Sequence, residues 1–189
     1  MELDRQNSFD LMCQYTQSDS LRRHMLAVEA AMAAYARKLG EDETKWAIVG
    51  LLHDFDYEKW PEPPDHPLQG SKILAELGYS QEIIRAIQSH VQQTNVSRDS
   101  DLEKALFACD ELCGFITACA YVRPDGIHGM KSKSVRKKMK QKSFAAAVNR
   151  DDITGGAEEF GVDLNEHIQF VIDALQANAA ELKLESQSE

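Results

Sequence analysis

The sequence predicts an all-α fold, a single helical bundle followed by a C-terminal helical extension. Apolar residues recur at steps of three and four in almost every periodic stretch, capping residues precede several of these stretches, and no stretch has a convincing strand pattern. A chain of 189 residues suits one domain with a full hydrophobic core. We therefore expect one domain over residues 1–189, with its core at about 20–121 and a basic segment and further helices at 122–185.

The clearest predicted helix covers residues 21–39, where apolar side chains fall on one face. Residues 18–20 (Ser-Asp-Ser) offer an N-cap, and Gly40 follows the last turn. His24 lies on the apolar face of this helix. We expect its ring to be buried, and a buried imidazole needs a polar partner.

A second helix is predicted from about Asp42, as its cap, to about His53. Trp46, Val49 and His53 share one face of this helix, because they are separated by three and four residues. Asp54 follows at the C-terminus, where a carboxylate opposes the helix dipole and is costly unless a cation compensates it. The doublet His53-Asp54 therefore points to a bound cation.

Residues 55–67 contain four prolines and are predicted to form a loop. Asp65 is predicted to cap a short helix over residues 66–77, which places His66 in its first turn. Gly70 lies one turn further along the same face, where the missing side chain would let another backbone approach closely.

The next two predicted helices carry the remaining candidate ligands. Ser80 is expected to cap a helix that runs to about residue 92, with His90 on its inner face. Ser100 and Glu103 form a capping box at the start of a long helix that runs to about residue 121. Asp110 lies at the edge of the buried stripe of that helix.

Two further helices are predicted near the C-terminus. Residues 149–152 should begin a short helix, and Asp163 should cap a final amphipathic helix over residues 164–183. The N-terminal sequence is acidic and polar, and no stretch approaches 18 apolar residues. We therefore expect a cytoplasmic protein without a membrane partner, whose four cysteines are small buried side chains in a reducing compartment.

The charge is distributed unevenly along the chain. The net charge is −10, but residues 131–142 hold seven basic residues and no acidic one. The rest of the chain then carries 14 basic and 31 acidic residues, and such an acidic body repels nucleic acid. The basic segment is either the solvated face of a short helix or a local contact for substrate phosphates, and we expect no nucleic-acid partner.

The inward-facing histidines and carboxylates need a common explanation, because no basic residue on the same faces neutralises them. A metal centre provides one. Imidazole with carboxylate suits Fe, Mn, Co, Ni or Zn, with Mg as a further candidate. Six ligands fit two ions that share a bridging carboxylate better than one open catalytic ion. The candidate ligands are His24, His53, Asp54, His66, His90 and Asp110.

The order of these six residues resembles the HD superfamily of metal-dependent phosphohydrolases. The stretch HPLQGSKIL (66–74) is similar to the HPxxGxxIL segment of its two-metal form. Residues 133–150, KSVRKKMKQKSFAAAVNR, resemble the C-terminal segment of small stand-alone, bacterial-type HD proteins that are described as predicted hydrolases. The resemblance implies an HD-type helical bundle in which His24, His53, Asp54 and Asp110 hold one ion and Asp54 bridges to a second ion at His66 and His90.

The activity implied by the resemblance is hydrolysis of a nucleotide or another small phosphate ester by a metal-activated hydroxide. Asp54 is the central catalytic candidate. Asp56 is the second, either as a partner of a ligand histidine or as a proton donor, and a solvated loop acid is the alternative. Many HD enzymes continue the doublet as HDIGK, whereas this chain has Asp56 and Tyr57 at the glycine and lysine positions. The substrate-binding candidates are Lys59, Lys133, Arg136 and Lys137.

Two alternatives remain open at this stage. The same ligand pattern resembles the HD-fold di-iron oxygenases, which would consume O₂ with an organic substrate. A regulatory domain could also retain the fold and bind a metal or ligand without turnover. The expected partner is a small phosphorylated substrate, and the sequence leaves open whether the protein forms a homodimer.

Overall fold

The computed structural model describes residues 4–186, and within that range it is all-helical, with no strand. A single 3-10 turn lies at Gln92–Thr94. The α-helices, numbered in chain order, are α1 Arg5–Tyr15, α2 Asp19–Leu39, α3 Glu43–Leu52, α4 Asp65–Glu76, α5 Gln81–Ser89, α6 Asp101–Tyr121, α7 Ser132–Met139, α8 Arg150–Glu159, α9 Leu164–Ala177 and α10 Ala179–Leu182.

The chain divides into two compact units, of which the first ends at Phe107 and the second begins at Ala108. The division falls inside α6, so this helix contributes residues to both units. In the first unit α2 packs along α3, α1 and α5 also pack on α3, and α4 packs on α5. In the second unit α7, α8 and α10 all pack on α9.

The close contact between α2 and α3 depends on Gly50. A Cβ atom at this position would lie 2.8 Å from the backbone nitrogen of Glu29, closer than real Cβ contacts allow. The absence of a side chain therefore lets α3 approach the backbone of α2. The facing side chains, Val28 and Met32 on α2 and Ile48 on α3 among them, are completely buried.

Several predicted helix caps are confirmed. Ser18 and Ser80 each accept a hydrogen bond from the backbone N–H three residues further on, and so does Asp42. The predicted capping box is also present: Glu103 N–H donates to Ser100 Oγ at 3.4 Å, and Ser100 N–H donates to Glu103 Oε2 at 2.9 Å. These caps fix where the site-bearing helices begin.

Helix α1 was not predicted. Its sequence, RQNSFDLMCQY, is mostly polar, and only Ser8, Leu11 and Met12 of it are buried. With so few buried side chains, the helical periodicity of this stretch is weak. Its N-cap is a standard one, because the Asp4 carboxylate accepts a hydrogen bond from the N–H of Asn7 at 2.7 Å.

The predicted role of Asp65 as a helix cap is wrong. Asp65 lies inside α4 and its carboxylate accepts a hydrogen bond from the side chain of Gln69 instead. His66 and Pro67 interrupt the helical backbone, since His66 has an extended ψ of 128°. A proline disfavours the helical conformation of the residue before it, so the regular helix continues only from Leu68.

Two predicted helices are shorter than expected. Helix α5 ends at Ser89 rather than near residue 92, and the 3-10 turn follows it. The predicted final helix is divided at Asn178 into α9 and α10. The Asn178 side-chain amide donates to the carbonyl of Ala174 at 2.9 Å, a local bond that competes with continuation of the helix.

In the second unit, the turn after α6 contacts the residues that follow α10. Ile127 N–H donates to the carbonyl of Leu184 at 2.8 Å. Gly126 has a positive φ of 55°, and a Cβ atom there would lie 2.2 Å from the Leu184 carbonyl oxygen, so only glycine fits. His167 on α9 is buried and its Nε2 bonds to the carbonyl of Ala108, a purely structural role.

The four cysteines are free thiols; the predicted burial is confirmed for Cys109, Cys113 and Cys119, whereas Cys13 is only partly buried. Among the helices of residues 4–186, none has the length and apolar character needed to cross a membrane.

Candidate metal centre

Four helices of the first unit bring the candidate ligands together. His24 lies on α2, His53 is the C-cap residue of α3 and Asp54 follows it directly. His66 lies at the interruption of α4, and His90 is the C-cap residue of α5. Three of the four histidines thus lie where a helix begins or ends, which frees their rings to converge on one point.

Asp54 is the centre of two triads of potential metal ligands. The first consists of His24, His53 and Asp54, and the second of Asp54, His66 and His90. Within each triad the ligand atoms lie within 4.8 Å of one another. The two triads therefore share a single carboxylate.

Each oxygen of the Asp54 carboxylate faces one pair of histidines. Oδ2 lies 3.8 Å from His24 Nε2 and 3.4 Å from His53 Nε2. Oδ1 lies 3.2 Å from His66 Nε2 and 3.4 Å from His90 Nε2. A carboxylate that presents a different oxygen to each triad has the arrangement needed to bridge two ions.

The other ring nitrogens are held by hydrogen-bond acceptors. Nδ1 of His53 lies 2.8 Å from the carbonyl oxygen of Gly50, and Nδ1 of His90 bonds to the carbonyl of Ile87. An oxygen of this kind can only accept, so Nδ1 carries the proton in each neutral ring and Nε2 carries a lone pair.

The converging Nε2 atoms test whether these residues fit a metal. Nε2 of His24 and His53 lie 3.2 Å apart, and Nε2 of His66 and His90 lie 3.3 Å apart. Two nitrogen lone pairs at such a distance repel each other unless a cation or a proton lies between them. The residues therefore fit two divalent ions, and the donor set of imidazole and carboxylate suits a transition metal.

Asp56 holds the ring of His66 from behind. Its Oδ1 lies 2.7 Å from His66 Nδ1, and its Oδ2 accepts the backbone N–H of Gly70 at 2.6 Å. Asp56 is completely buried, so it is not a solvated loop acid. This arrangement favours the role of a partner that fixes a ligand histidine over that of a proton donor.

Gly70 makes the position of Asp56 possible. A Cβ atom at residue 70 would lie 2.7 Å from Asp56 Oδ2 and 2.8 Å from the ring of Phe55. The sequence predicted a close approach at Gly70 but attributed it to another backbone; the neighbour is a carboxylate side chain and an aromatic ring. The glycine of the HPLQGSKIL stretch therefore serves the metal centre indirectly, through Asp56 and His66.

The electrostatics of the centre favour a positive charge beside Asp54. Burial alone would raise the pKa of the Asp54 carboxyl, but the ion pair with His53 and hydrogen bonds from His53, His66 and His90 hold that pKa well below its usual range. Burial lowers the pKa of His66, but Asp54 and Asp56 together raise it to about 9. A divalent cation meets the same demand more fully than one proton on His66 does.

Not every predicted ligand is part of these triads. Asp110 lies on α6 in the second unit, partly buried, and neither triad includes it. Its role as a metal ligand stays a prediction. Among the predicted substrate-binding residues, Lys59 is exposed, and its ammonium lies 3.9 Å from the centre of the Tyr15 ring. Lys133, Arg136 and Lys137 belong to α7.

A pocket of about 410 Å³ opens beside His24. Its wall includes Leu21, Tyr57 and Pro61, and no lysine or arginine lines it. Tyr57 is 43% exposed and meets the His66 ring edge-on, with the ring centres 5.2 Å apart. In the sequence, Tyr57 was notable only as a departure from the HDIGK pattern. Its position in the turn after Asp54 gave no sign of the contact with His66.

Residues 21–114 match the family model described as HD domain. No curated protein matches the chain significantly, and no solved structure does. The matched range contains all five residues of the two triads and Asp110 as well. With an all-helical fold and two His/Asp triads centred on the doublet, the chain belongs to the HD superfamily of metal-dependent phosphohydrolases.

Proposed function

We propose that this protein is a metal-dependent phosphohydrolase that acts on a nucleotide or another small phosphate ester. The observation that supports the proposal is the geometry at Asp54: each of its two carboxylate oxygens faces one pair of histidine Nε2 atoms. Divalent ions bound there would lower the pKa of a water molecule and polarise the phosphoryl oxygens.

The chain's own residues prepare the centre for this chemistry. Asp54 keeps its negative charge and would be shared by both ions. The carbonyls of Gly50 and Ile87 and the carboxylate of Asp56 fix three of the histidine rings, so that each Nε2 atom points to the centre without further rearrangement. Asp54 and Asp56 are thus the two carboxylates on which activity depends, Asp54 as a ligand and Asp56 as a positioning residue.

The pocket beside His24 suits the organic part of a phosphate ester. Among the described residues that line it there is no lysine or arginine, and Glu58, the acid among them, already accepts the backbone N–H groups of Gln17 and Ser18 at 2.8 and 2.9 Å. A neutral or aromatic group can therefore enter without meeting an unpaired charge, and the exposed Tyr57 offers it a stacking surface. The phosphate itself would bind at the two triads. Lys59, Lys133, Arg136 and Lys137 stay the proposed substrate-binding residues.

The direct test is a hydrolysis screen of the protein loaded with Mn²⁺, Fe²⁺ or Co²⁺. The panel contains nucleoside mono-, di- and triphosphates, dinucleotides, sugar phosphates and a generic aryl phosphate. We expect metal-dependent release of phosphate from at least one class, and loss of that activity in Asp54→Ala. The matched control is Asp65→Ala, which removes an exposed carboxylate that bonds only to a neighbouring glutamine side chain on α4.

Two other outcomes would replace the proposal. Turnover of an organic substrate by the iron-loaded protein with O₂ consumption, and no phosphate release, would identify a di-iron oxygenase. Metal binding without turnover of any member of the panel would identify a regulatory domain that uses the metal for ligand binding.

A further inference from the structure

The second unit contains a pocket of about 290 Å³ that is built from residues distant in sequence. Cys119 and Arg123 come from the end of α6 and the turn after it, and the other lining residues come from α7 and the turn that follows it. Three of the six lining residues are basic, and none is acidic. The six residues, called the basic pocket below, are Cys119, Arg123, Ser134, Lys137, Lys138 and Gln141.

The positive charges of the basic pocket are not neutralised within the protein. Among residues 4–186, neither Lys137 nor Lys138 forms an ion pair, and the Lys138 ammonium instead lies 4.5 Å from the centre of the Phe144 ring. Arg123 is held by two hydrogen bonds, from Nε to the carbonyl of Gly126 and from Nη2 to that of His128. Its Nη1 remains available to a ligand, with the arginine already fixed in place.

The floor of the basic pocket adds a buried thiol. Cys119 is 4% exposed. Burial raises the pKa of its thiol to about 11, although Lys138, Arg123 and Arg150 act in the opposite direction. The thiol is therefore neutral and contributes no negative charge to the pocket. The side-chain amide of Gln141 has no hydrogen-bond partner among the residues that the structure describes, so it can also donate to a ligand.

The positive charge of the basic pocket favours an anion as its ligand. The donors at hand are two ammonium groups, one guanidinium nitrogen and one amide, a set that matches the several oxygen atoms of a phosphate group. The size of the pocket limits the ligand to a small molecule. The net charge of −10 opposes a long polyanion such as a nucleic acid, whose other phosphates would meet the acidic body.

We infer that the basic pocket binds the phosphate or diphosphate group of a small phosphorylated molecule. Of the basic residues predicted from the sequence to contact substrate, Lys137 is the one found among the described residues that line this pocket, and Arg123, Lys138 and Gln141 are new assignments. The ligand has two sources with the same chemistry: the substrate of the proposed reaction, in which case the inference rests on the proposed function, or a separate phosphorylated effector.

The test uses the full-length, metal-stripped protein carrying Asp54→Ala, so that no anion binds through ions at the two triads. Pyrophosphate is titrated by calorimetry. We expect binding of one pyrophosphate per chain, weakened roughly tenfold by Lys137→Ala and by Lys138→Ala, because each removes a charged hydrogen-bond donor. Lys142→Ala removes an exposed charge of the same segment outside the pocket and should change the affinity less than twofold.

Absence of pyrophosphate binding would overturn the inference, and so would equal weakening by Lys142→Ala, which would indicate a diffuse charge effect. Tighter binding of single-stranded oligonucleotide than of pyrophosphate would also overturn it, in favour of a nucleic-acid site. None of these outcomes depends on hydrolysis, so they are distinct from failure of the proposed function.

Kinetic experiments on the metal-loaded protein, with Asp54 intact, distinguish the two sources of the ligand. If the pocket holds the substrate, Lys137→Ala raises KM, and pyrophosphate inhibits competitively. If it holds an effector, pyrophosphate changes kcat, and Lys138→Ala, at a pocket residue outside the predicted substrate-binding set, removes that change while KM stays the same. Either pattern supports the inference and assigns the ligand's source.

Discussion

The metal centre and the basic pocket differ in the signs of the charges that they bring together. At the centre, one carboxylate faces four histidines and a second carboxylate holds one of them from behind, so charges of both signs meet among buried and partly buried side chains. In the basic pocket, charges of one sign line an open space with no carboxylate among the lining residues. The first arrangement calls for cations, and the second calls for an anion.

The difference shows how each site is built. Three of the four histidines of the centre lie at helix ends, and their rings are held by two backbone carbonyls and the Asp56 carboxylate, so much of their geometry exists before anything binds. The lysines of the basic pocket are long, flexible side chains that would order only on a ligand. We therefore expect changes at the centre to have large effects that follow geometry, and changes at the basic pocket to have smaller effects that follow charge.

The largest expected effect is that of Asp54→Ala. It removes the carboxylate shared by both triads, and it leaves four histidines without an anion between them. We expect a loss of activity of about a thousandfold or more on the substrate identified in the screen, with a folded, helical protein. Steady-state kinetics and circular dichroism measure these two properties. Activity within tenfold of Asp65→Ala would mean that the centre is not where the reaction occurs.

A smaller effect is expected for Asp56→Asn, which keeps the size of the side chain and removes its charge. The amide would no longer hold the protonated Nδ1 of His66 as strongly, so the ring would lose its fixed orientation. We expect a 10- to 100-fold loss of metal affinity, with the ion at the His66–His90 pair affected and the other ion retained. Metal titration followed by calorimetry checks this; equal loss at both pairs would contradict a role confined to His66.

The matched glycine pair Gly70→Ala and Gly155→Ala tests how closely the centre is supported. The added methyl group at residue 70 would displace Asp56 or Phe55, and we expect a loss of roughly 1–3 kcal/mol in the free energy of unfolding together with weaker metal binding. Nothing lies within 4 Å of a Cβ atom at Gly155 in α8, where alanine should stabilise the helix by about 0.5–1 kcal/mol. Chemical denaturation measures both values. Equal effects of the two substitutions would show that Gly70 is not tightly packed.

The smallest expected effect is a difference in salt dependence between the two binding sites of the same protein. Raising the salt concentration from 50 to 200 mM should weaken pyrophosphate binding at the basic pocket by a few fold, because exposed charges are screened. The affinity of the metal centre should change less, since three of its ligand residues, His53, His66 and His90, are buried. Calorimetric titrations of pyrophosphate and of Mn²⁺ at the two concentrations give the comparison. An equal salt dependence would remove the distinction between the two sites.

The sequence allowed the metal centre to be predicted in large part. Each of the five triad residues lies on a periodic helix or beside a helix end, and their order matches that of the HD superfamily. The role of Asp56 was left open, because periodicity does not describe the turn from residue 53 to 59 in which it lies. Only the folded turn places its carboxylate between His66 and Gly70.

The basic pocket could not be predicted to the same extent. The segment 131–142 was identified by its charge, and Lys137 was named from it. The other lining residues were not, because Cys119 and Arg123 join Lys137 and Lys138 only through the path of the chain between α6 and α7. Turns with no periodicity determine that path. The same limit explains the cap wrongly assigned to Asp65, which lies just before the interruption of α4 at His66 and Pro67.

The central claim is that Asp54 bridges two metal ions. The most direct test is the metal content of the protein after saturation with Mn²⁺ or Fe²⁺ and removal of excess metal on a chelator-free column, measured by elemental analysis. We expect two ions per chain in the protein with Asp54 intact, and none retained in Asp54→Ala. A content of one ion or none per chain, or a content unchanged by Asp54→Ala, would contradict it.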